Sequence, residues 1–265
     1  MVNSSITIYT LPCLSDNYAY VIHNRATGTA AVVDVPEAGP LVDKISQLNL
    51  SVTDIFLTHH HWDHIDGLPD LQAALTGSLG QSRARVIGAQ ADAHRLPTLD
   101  QAVGPGDRVT LCGIEGDTYD VSGHTLGHLA LHLPSAKAVF SADSLMAMGC
   151  GRLFEGSAEQ MWHSLQQFRS LAPDTWVYSG HEYTATNMAF TQTLGEDNPA
   201  IAARAAQITK DRAAGQATVP SLLSIELQTN PFLRADNPAL QAAVGMPGAT
   251  AEQVFTEIRS RRDKF

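Results

Sequence analysis

Residues 58–64 read Thr58-His59-His60-His61-Trp62-Asp63-His64 and follow directly on the short apolar run Asp54-Ile55-Phe56-Leu57. A chain still extended at that point projects His59 and His61, two residues apart, to the same side, and turns His60 away. If a helix starts next, Asp63 and His64 sit in its first turn with their side chains aimed back towards the same place. Three imidazoles and one carboxylate are more than one tetrahedral ion with an open position accepts. They suit two ions side by side, each completed by ligands from elsewhere. An accidental cluster is the weaker reading, because such groups crowded behind a buried strand would repel one another or stay unsatisfied.

Completing ligands are sought at the ends of other β-like runs, and three fit: His124 in Ser122-Gly123-His124-Thr125, Asp143 in Phe140-Ser141-Ala142-Asp143, and His181 in Tyr178-Ser179-Gly180-His181. The supply is then five histidines and two aspartates, nitrogen and oxygen donors that suit zinc, iron or manganese. His23, His94, His132 and His163 read as surface or satisfied core residues. His60 reads as a support for its neighbours or a solvent contact, and His128 is left open between ligand and bystander. No Gly-x-Ser-x-Gly elbow exists and no cysteine adjoins a base, so a covalent nucleophile is not expected. Cys150 reads as a small packed residue between Gly149 and Gly151.

Working outward, alternation and apolar runs predict strands over 6–9, 18–22, 30–34, 54–57, 85–88, 108–111, 118–121, 129–133, 138–141 and 176–179. Helical spacing appears over 40–50 and 158–171. Beyond His181 the character changes to helices over 187–194, 199–212 and 250–262, the last with Thr250 and Gln253 in capping-box spacing. The expectation is an α/β (α+β) catalytic domain over 1–175 and an α-helical domain over 176–265.

The whole chain of 265 residues is 44% hydrophobic and 17% charged, ordinary globular values. A net charge of -10 without a basic stripe argues against a nucleic-acid partner. The one basic cluster is Arg259-Ser260-Arg261-Arg262-Asp263-Lys264. Three cysteines, Cys13, Cys112 and Cys150, are odd in number and widely spaced, which points to a reducing compartment and a cytoplasmic protein. The start, Met1-Val2-Asn3-Ser4-Ser5, shows no leader pattern, and no apolar run is long enough for a membrane span.

His59-x-His61-x-Asp63-His64 followed by separate His, Asp and His resembles the signature of the metallo-β-lactamase superfamily, whose fold is an αββα sandwich. Three further stretches are similar to the glyoxalase II family within it: Gly149-Cys150-Gly151-Arg152-Leu153-Phe154-Glu155-Gly156, Gly180-His181-Glu182-Tyr183-Thr184, and the ending Arg259 to Phe265. Ser15-Asp16-Asn17-Tyr18 and Asn230-Pro231-Phe232-Leu233-Arg234 match as well. The resemblance implies two divalent ions, zinc first with iron or manganese as alternatives. One would take His59, His61 and His124, the other Asp63, His64 and His181, with Asp143 bridging and Asp63 also orienting the attacking hydroxide. Arg152, Arg259 and Arg262 would hold the carboxylates of a glutathione moiety, and Tyr183 its peptide. Two departures are Phe154, where the family commonly has tyrosine, and Ser122 in place of proline. The implied reaction cleaves S-2-hydroxyacylglutathione, such as S-lactoylglutathione, to a 2-hydroxy acid and glutathione in methylglyoxal detoxification. The implied actor is a single chain with a small-molecule partner and no membrane. The nearest rival is a mononuclear-iron persulfide dioxygenase of the same fold.

Overall fold

The structure is a computed structural model that describes residues 5–265, so residues 1–4 of the start read above for a leader lie outside the described residues. By compactness the described residues form two units, one of residues 5–120 and 126–140, the other of residues 121–125 and 141–265. This cut follows packing, whereas the expected division into 1–175 and 176–265 follows the change from strand to helix pattern along the sequence.

In the first unit, β1 (Ile6–Cys13), β2 (Asn17–Asn24) and β3 (Thr29–Val33) form an antiparallel meander. Nearly every residue of β2 is buried, as expected of a strand covered on both faces. Helix α1 (Gly39–Leu48) starts on Pro40, buries Leu41 and Ile45, and ends at Asn49 in the left-handed conformation. That crossover returns the chain to β4 (Ser51–Leu57), parallel to β3. A single turn, α2 (Trp62–Ile65), then leads to α3 (Leu68–Thr76), a helix the sequence reading did not place. Strands β5 (Arg85–Ala89) and β6 (Gln101–Val103) complete a six-stranded sheet in the order β1-β2-β3-β4-β5-β6.

Strands β7 (Arg108–Leu111), β8 (Ile114–Asp120), β9 (Leu129–Leu133) and β10 (Ala138–Ala142) form successive antiparallel pairs. Within the first unit Tyr20 of β2 meets Phe140 of β10, ring centroids 5.4 Å apart, a contact that packs sheet against sheet.

The second unit contains the hairpin of β11 (Leu145–Met146) and β12 (Gly149–Cys150), helix α4 (Ala158–Arg169) and strand β13 (Trp176–Ser179). After them come α5 (Thr184–Thr193), α6 (Pro199–Ala213), β14 (Ser221–Leu222), α7 (Leu223–Thr229), α8 (Pro238–Ala243) and α9 (Ala251–Lys264). The second sheet has the order β14-β13-β10-β9-β8-β7. The expected capping box at Thr250 and Gln253 is formed, and a second one at Ser157 and Gln160 starts α4. Val254, Phe255 and Ile258 are buried on one face of α9, with Phe255 packed on Trp162 of α4 and on Phe232. Among the described residues no helix is long and apolar enough to cross a membrane.

Buried thiols couple this fold to alkaline pH. Burial first, and the neighbouring Asp54 charge second, push the Cys112 thiol up from 9.0 to about 12; burial and Glu37 push Cys13 up to about 11. Both folded values lie above the unfolded one, so this contribution is intact below about pH 9 and is lost as pH rises through the folded values. Urea-unfolding midpoints should therefore fall above about pH 9, and Cys112→Ala should make that fall shallower. An identical alkaline slope in Cys112→Ala would contradict this.

Candidate metal centre

The first unit carries four of the seven expected ligands, and β4 delivers them as the spacing required. Strand β4 runs straight into residues 58–61, His61 stays extended as the cap of α2, and Asp63 and His64 fall in its single turn. The His59 ring lies 4.7 Å from that of His61 and 4.2 Å from that of His64, centroid to centroid.

Their orientation comes from Asp34, which follows β3 in the left-handed region at φ 56. Its Oδ1 accepts the Thr58 backbone N–H at 2.9 Å, and its Oδ2 lies 2.8 Å from both the Thr58 hydroxyl and His64 Nδ1. With its proton committed to Asp34, the Thr58 oxygen can only accept from His59 Nδ1 at 3.0 Å. Both imidazoles thus carry their proton on Nδ1 and keep the Nε2 lone pair for a metal, the arrangement that histidine ligands require. Asn17 performs the equivalent service for Asp63, donating to its Oδ2 at 3.0 Å and to its backbone carbonyl at 2.9 Å.

His60 turns away, as alternation demanded, and its Nδ1 meets Asp92 Oδ2 at 2.9 Å. His128 is fully buried with its ring 4.6 Å from that of His59, an expected ligand. Burial holds the pKa of His132 below the ordinary value, and His163 Nδ1 donates to the Glu159 carbonyl of its own helix at 2.8 Å.

In the second unit, His124, Asp143 and His181 converge. His124 Nε2 lies 3.4 Å and His181 Nε2 3.2 Å from Asp143 Oδ2. The His124 Nδ1 is 2.8 Å from the Arg152 carbonyl, which again assigns the proton to Nδ1 and leaves the lone pair on Nε2. Gly123, beside it, sits at φ 147, and a Cβ there would come 2.8 Å from Met161. A Cβ on Gly151 would come 1.9 Å from the Asp143 carbonyl oxygen and 3.1 Å from His124 Nδ1. The Gly149-Cys150-Gly151-Arg152 run is therefore the wall behind two expected ligands, and any side chain at 151 would displace them.

The expected substrate residues all lie in this second unit but in unequal settings. Tyr183 is 37% exposed and stacks on His181 at 4.7 Å with an interplanar angle of 4°. The exposed Phe154 carries the Arg152 guanidinium 5.9 Å from its ring centre. Arg262 lies over the rings of Phe190 and Phe265 and donates to Asn187 Oδ1 at 3.3 Å. Arg259 is buried: it donates to the Cys150 carbonyl at 3.0 Å, the Gly151 carbonyl at 3.4 Å and Asp263 at 3.0 Å. Arg261 points elsewhere, to Glu257. Asp263 also stands 3.8 Å from Arg152. Burial, then the Arg259 charge, lowers the Arg262 pKa, as expected where cations are crowded.

The profile of the metallo-beta-lactamase superfamily matches residues 15–78, and that of the hydroxyacylglutathione hydrolase C-terminus matches residues 182–265. A hydroxyacylglutathione hydrolase of Ruegeria pomeroyi is 54% identical over 260 residues, 98% of this chain and 99% of that protein. One from Jannaschia sp. is 55% identical over 258 residues, 97% of this chain and 98% of the relative. This chain belongs to the hydroxyacylglutathione hydrolase family. Solved structures similar in fold include a B3 metallo-beta-lactamase (TM-score 0.64, 18% identity, 86% of this chain and 99% of the other) and ETHE1 from Myxococcus xanthus (TM-score 0.62, 22% identity, 96% and 90%). The expected fold class is thus the metallo-β-lactamase fold with a C-terminal helical region.

In this member of the hydroxyacylglutathione hydrolase family, His59, His61, Asp63, His64, His124, Asp143 and His181 all belong to His/Asp groups able to hold a divalent metal. The donor set fits such ions: wherever a ring's hydrogen bond is resolved, Nδ1 is occupied and Nε2 is kept. Burial, the largest effect, raises the Cys150 thiol pKa against the opposing pull of Arg259, so the family's cysteine is a protonated packing residue and not a nucleophile. Sequence reasoning missed Asp34 and Asn17 as supports. The signal available was position: Asp34 ends an apolar run at the same strand edge as Thr58, and Asn17 stands within the quoted Ser15-Asp16-Asn17-Tyr18.

Replacing Asp34 with asparagine tests this wiring. An amide nitrogen facing the Thr58 hydroxyl and His64 Nδ1 would favour the His64 tautomer protonated on Nε2, as happens when a carboxylate behind an imidazole is amidated. Asp34→Asn should lower metal affinity about 10- to 100-fold with the fold retained, measured by competition with a chelator. Unchanged affinity would show that Asp34 does not set the tautomer.

Proposed function

We propose that the chain hydrolyses the thioester of S-2-hydroxyacylglutathiones, S-lactoylglutathione among them, releasing a 2-hydroxy acid and glutathione with two divalent ions, zinc foremost. The observation that carries this reading is the charge pattern of the second unit: Arg152, Arg259 and Arg262 are gathered around one carboxylate, Asp263, in a chain whose net charge is -10. A surplus of cations held together in an anionic protein favours a small polyanionic ligand. Glutathione, with two carboxylates, has that chemistry.

The ligand assignment is the one the family resemblance implies: His59, His61 and His124 for one ion, Asp63, His64 and His181 for the other, and Asp143 between them. In support, Asp143 Oδ2 lies close to Nε2 of both His124 and His181, so its carboxylate would be within reach of ions held by either ring. Divalent ions bound there would acidify water and polarise a carbonyl. The chain's own residues do the rest. Asp63, pinned by Asn17, orients the attacking hydroxide. Tyr183, stacked on His181, presents its hydroxyl to the peptide of the substrate. Arg152 and Arg262 take the glutathione carboxylates, and Phe154 offers a ring face without a hydroxyl. Arg259, the third arginine assigned to those carboxylates, also donates to the Cys150 and Gly151 carbonyls that shape this wall. The leaving group is a thiolate, so no general acid is needed. We further assign residues 1–175 to catalysis and 176–265 to substrate binding, in a single cytoplasmic chain whose three cysteines are free thiols.

Two measurements test this. Elemental analysis after reconstitution should find about two transition-metal ions per chain; full activity with one would remove the dinuclear assignment. Arg152→Ala combined with Arg262→Ala should raise KM for a glutathione thioester about 10- to 1000-fold and leave a small thioester lacking glutathione unaffected, at about 1.4 kcal/mol per decade. An equal loss on both substrates would place these arginines outside substrate recognition.

A further inference from the structure

The hairpin behind Asp143 and His124 is held from one side by a single carboxylate. Glu226, on α7, is completely buried. Its Oε2 accepts the Met148 backbone N–H at 2.9 Å and Asn230 Nδ2 at 3.0 Å, and its Oε1 accepts from Arg204. Asn230 in turn donates to the carbonyls of Met146 and Gly149, both at 3.0 Å. Met148, at the tip of the hairpin, is in the left-handed region at φ 60, a conformation that a methionine keeps only when its surroundings impose it. The same hairpin leads into Gly151, which abuts the Asp143 carbonyl, and Arg152, whose carbonyl faces His124 Nδ1. Apolar packing at the tip adds to this, since Met148 clusters with Met188, Ile201 and Ile208.

We infer that Glu226 is a positioning residue for the reaction: by locking the β11–β12 hairpin it fixes the Arg152 carbonyl, and with it the tautomer and aim of His124. The inference rests on His124 being a metal ligand, as proposed above. Its logic is electrostatic. Three donors converge on Glu226, and only a carboxylate accepts from all three without presenting a donor of its own. The amide of glutamine would satisfy Met148 and Asn230 with its oxygen and turn its NH2 against the Arg204 guanidinium. Arg204→Met removes that opposing donor and should make glutamine acceptable again.

The test compares Glu226→Gln, Arg204→Met and the double variant as metal-loaded proteins. Three properties are read: hydrogen exchange of the peptide covering residues 145–152, metal affinity, and kcat and KM with a glutathione thioester. Glu226→Gln should speed exchange in 145–152 about tenfold or more while β2 stays protected, lower metal affinity and kcat about 10- to 100-fold, and raise KM for the glutathione thioester only as far as Arg152, borne by the same segment, is displaced. The double variant should return all of these to within about threefold of the parent, a coupling that independent effects cannot produce. Faster exchange spread equally over the chain would make Glu226 a general stability residue and overturn the inference. So would a fall in kcat with 145–152 still protected, or a double variant no better than Glu226→Gln. If the parent protein shows no thioesterase activity, that failure belongs to the proposed substrate, and exchange and metal affinity still decide the role of Glu226.

Discussion

A carboxylate with no access to solvent must be surrounded by donors, and at Asp34 the donors are the start of the histidine motif itself. The Thr58 backbone N–H, the Thr58 hydroxyl and His64 Nδ1 all close on its two oxygens. That arrangement ties the end of β3 to the end of β4 and to the turn of α2, so the two parallel strands, the crossover helix between them and the metal-binding turn form one mechanical object. A buried carboxylate satisfied in this way is costly to disturb, because removing any donor leaves charge uncompensated in a poor solvent. The same bonds decide a chemical question, which nitrogen of each ring carries the proton, and hence whether a metal can bind at all.

The second unit solves the same problem with different parts. There the acceptor for His124 is a backbone carbonyl, that of Arg152, and a carbonyl can orient a ring only if the backbone that bears it is immobile. Its immobility comes from glycines too close to their neighbours to bear a side chain, from Arg259 on the Cys150 and Gly151 carbonyls, and from Asn187, which donates to the Ala147 carbonyl at 3.1 Å. The two side-chain supports, Arg259 and Asn187, come from helices after His181, the segment matched by the hydroxyacylglutathione hydrolase C-terminus. Helices proposed to gather cations for a substrate thus also brace the backbone behind two proposed metal ligands, which gives a physical reason for both to reside in one chain.

What could be read from the sequence was whatever depends on local periodicity. The extended His59-x-His61 pair, the turn carrying Asp63 and His64, and the strand-end positions of Asp143 and His181 follow from side-chain alternation and the placement of turns. So does the capping box of α9. Supports that act across the fold were not readable. Asp34 precedes Thr58 by 24 residues and Glu226 follows Met148 by 78, and no periodic pattern links such pairs. Arg259 illustrates the same limit: spacing correctly put it on one face of α9 with Arg262, but depth of burial, which periodicity does not encode, gave the two residues different surroundings. Helix α3 was missed because its apolar residues Leu68, Leu71 and Leu75 follow a helix start marked only by Gly67 and Pro69.

Hydrolysis at a dinuclear site and iron-dependent oxygenation can be built on the same strand-end histidines, and the two part company over molecular oxygen. The most direct test is to give the metal-loaded protein S-lactoylglutathione and follow thioester absorbance and dissolved oxygen in the same vessel. The account predicts that thioester disappears with release of one free thiol per molecule and no oxygen uptake. Oxygen consumption, or a thioester left intact by the fully metallated protein, would contradict it.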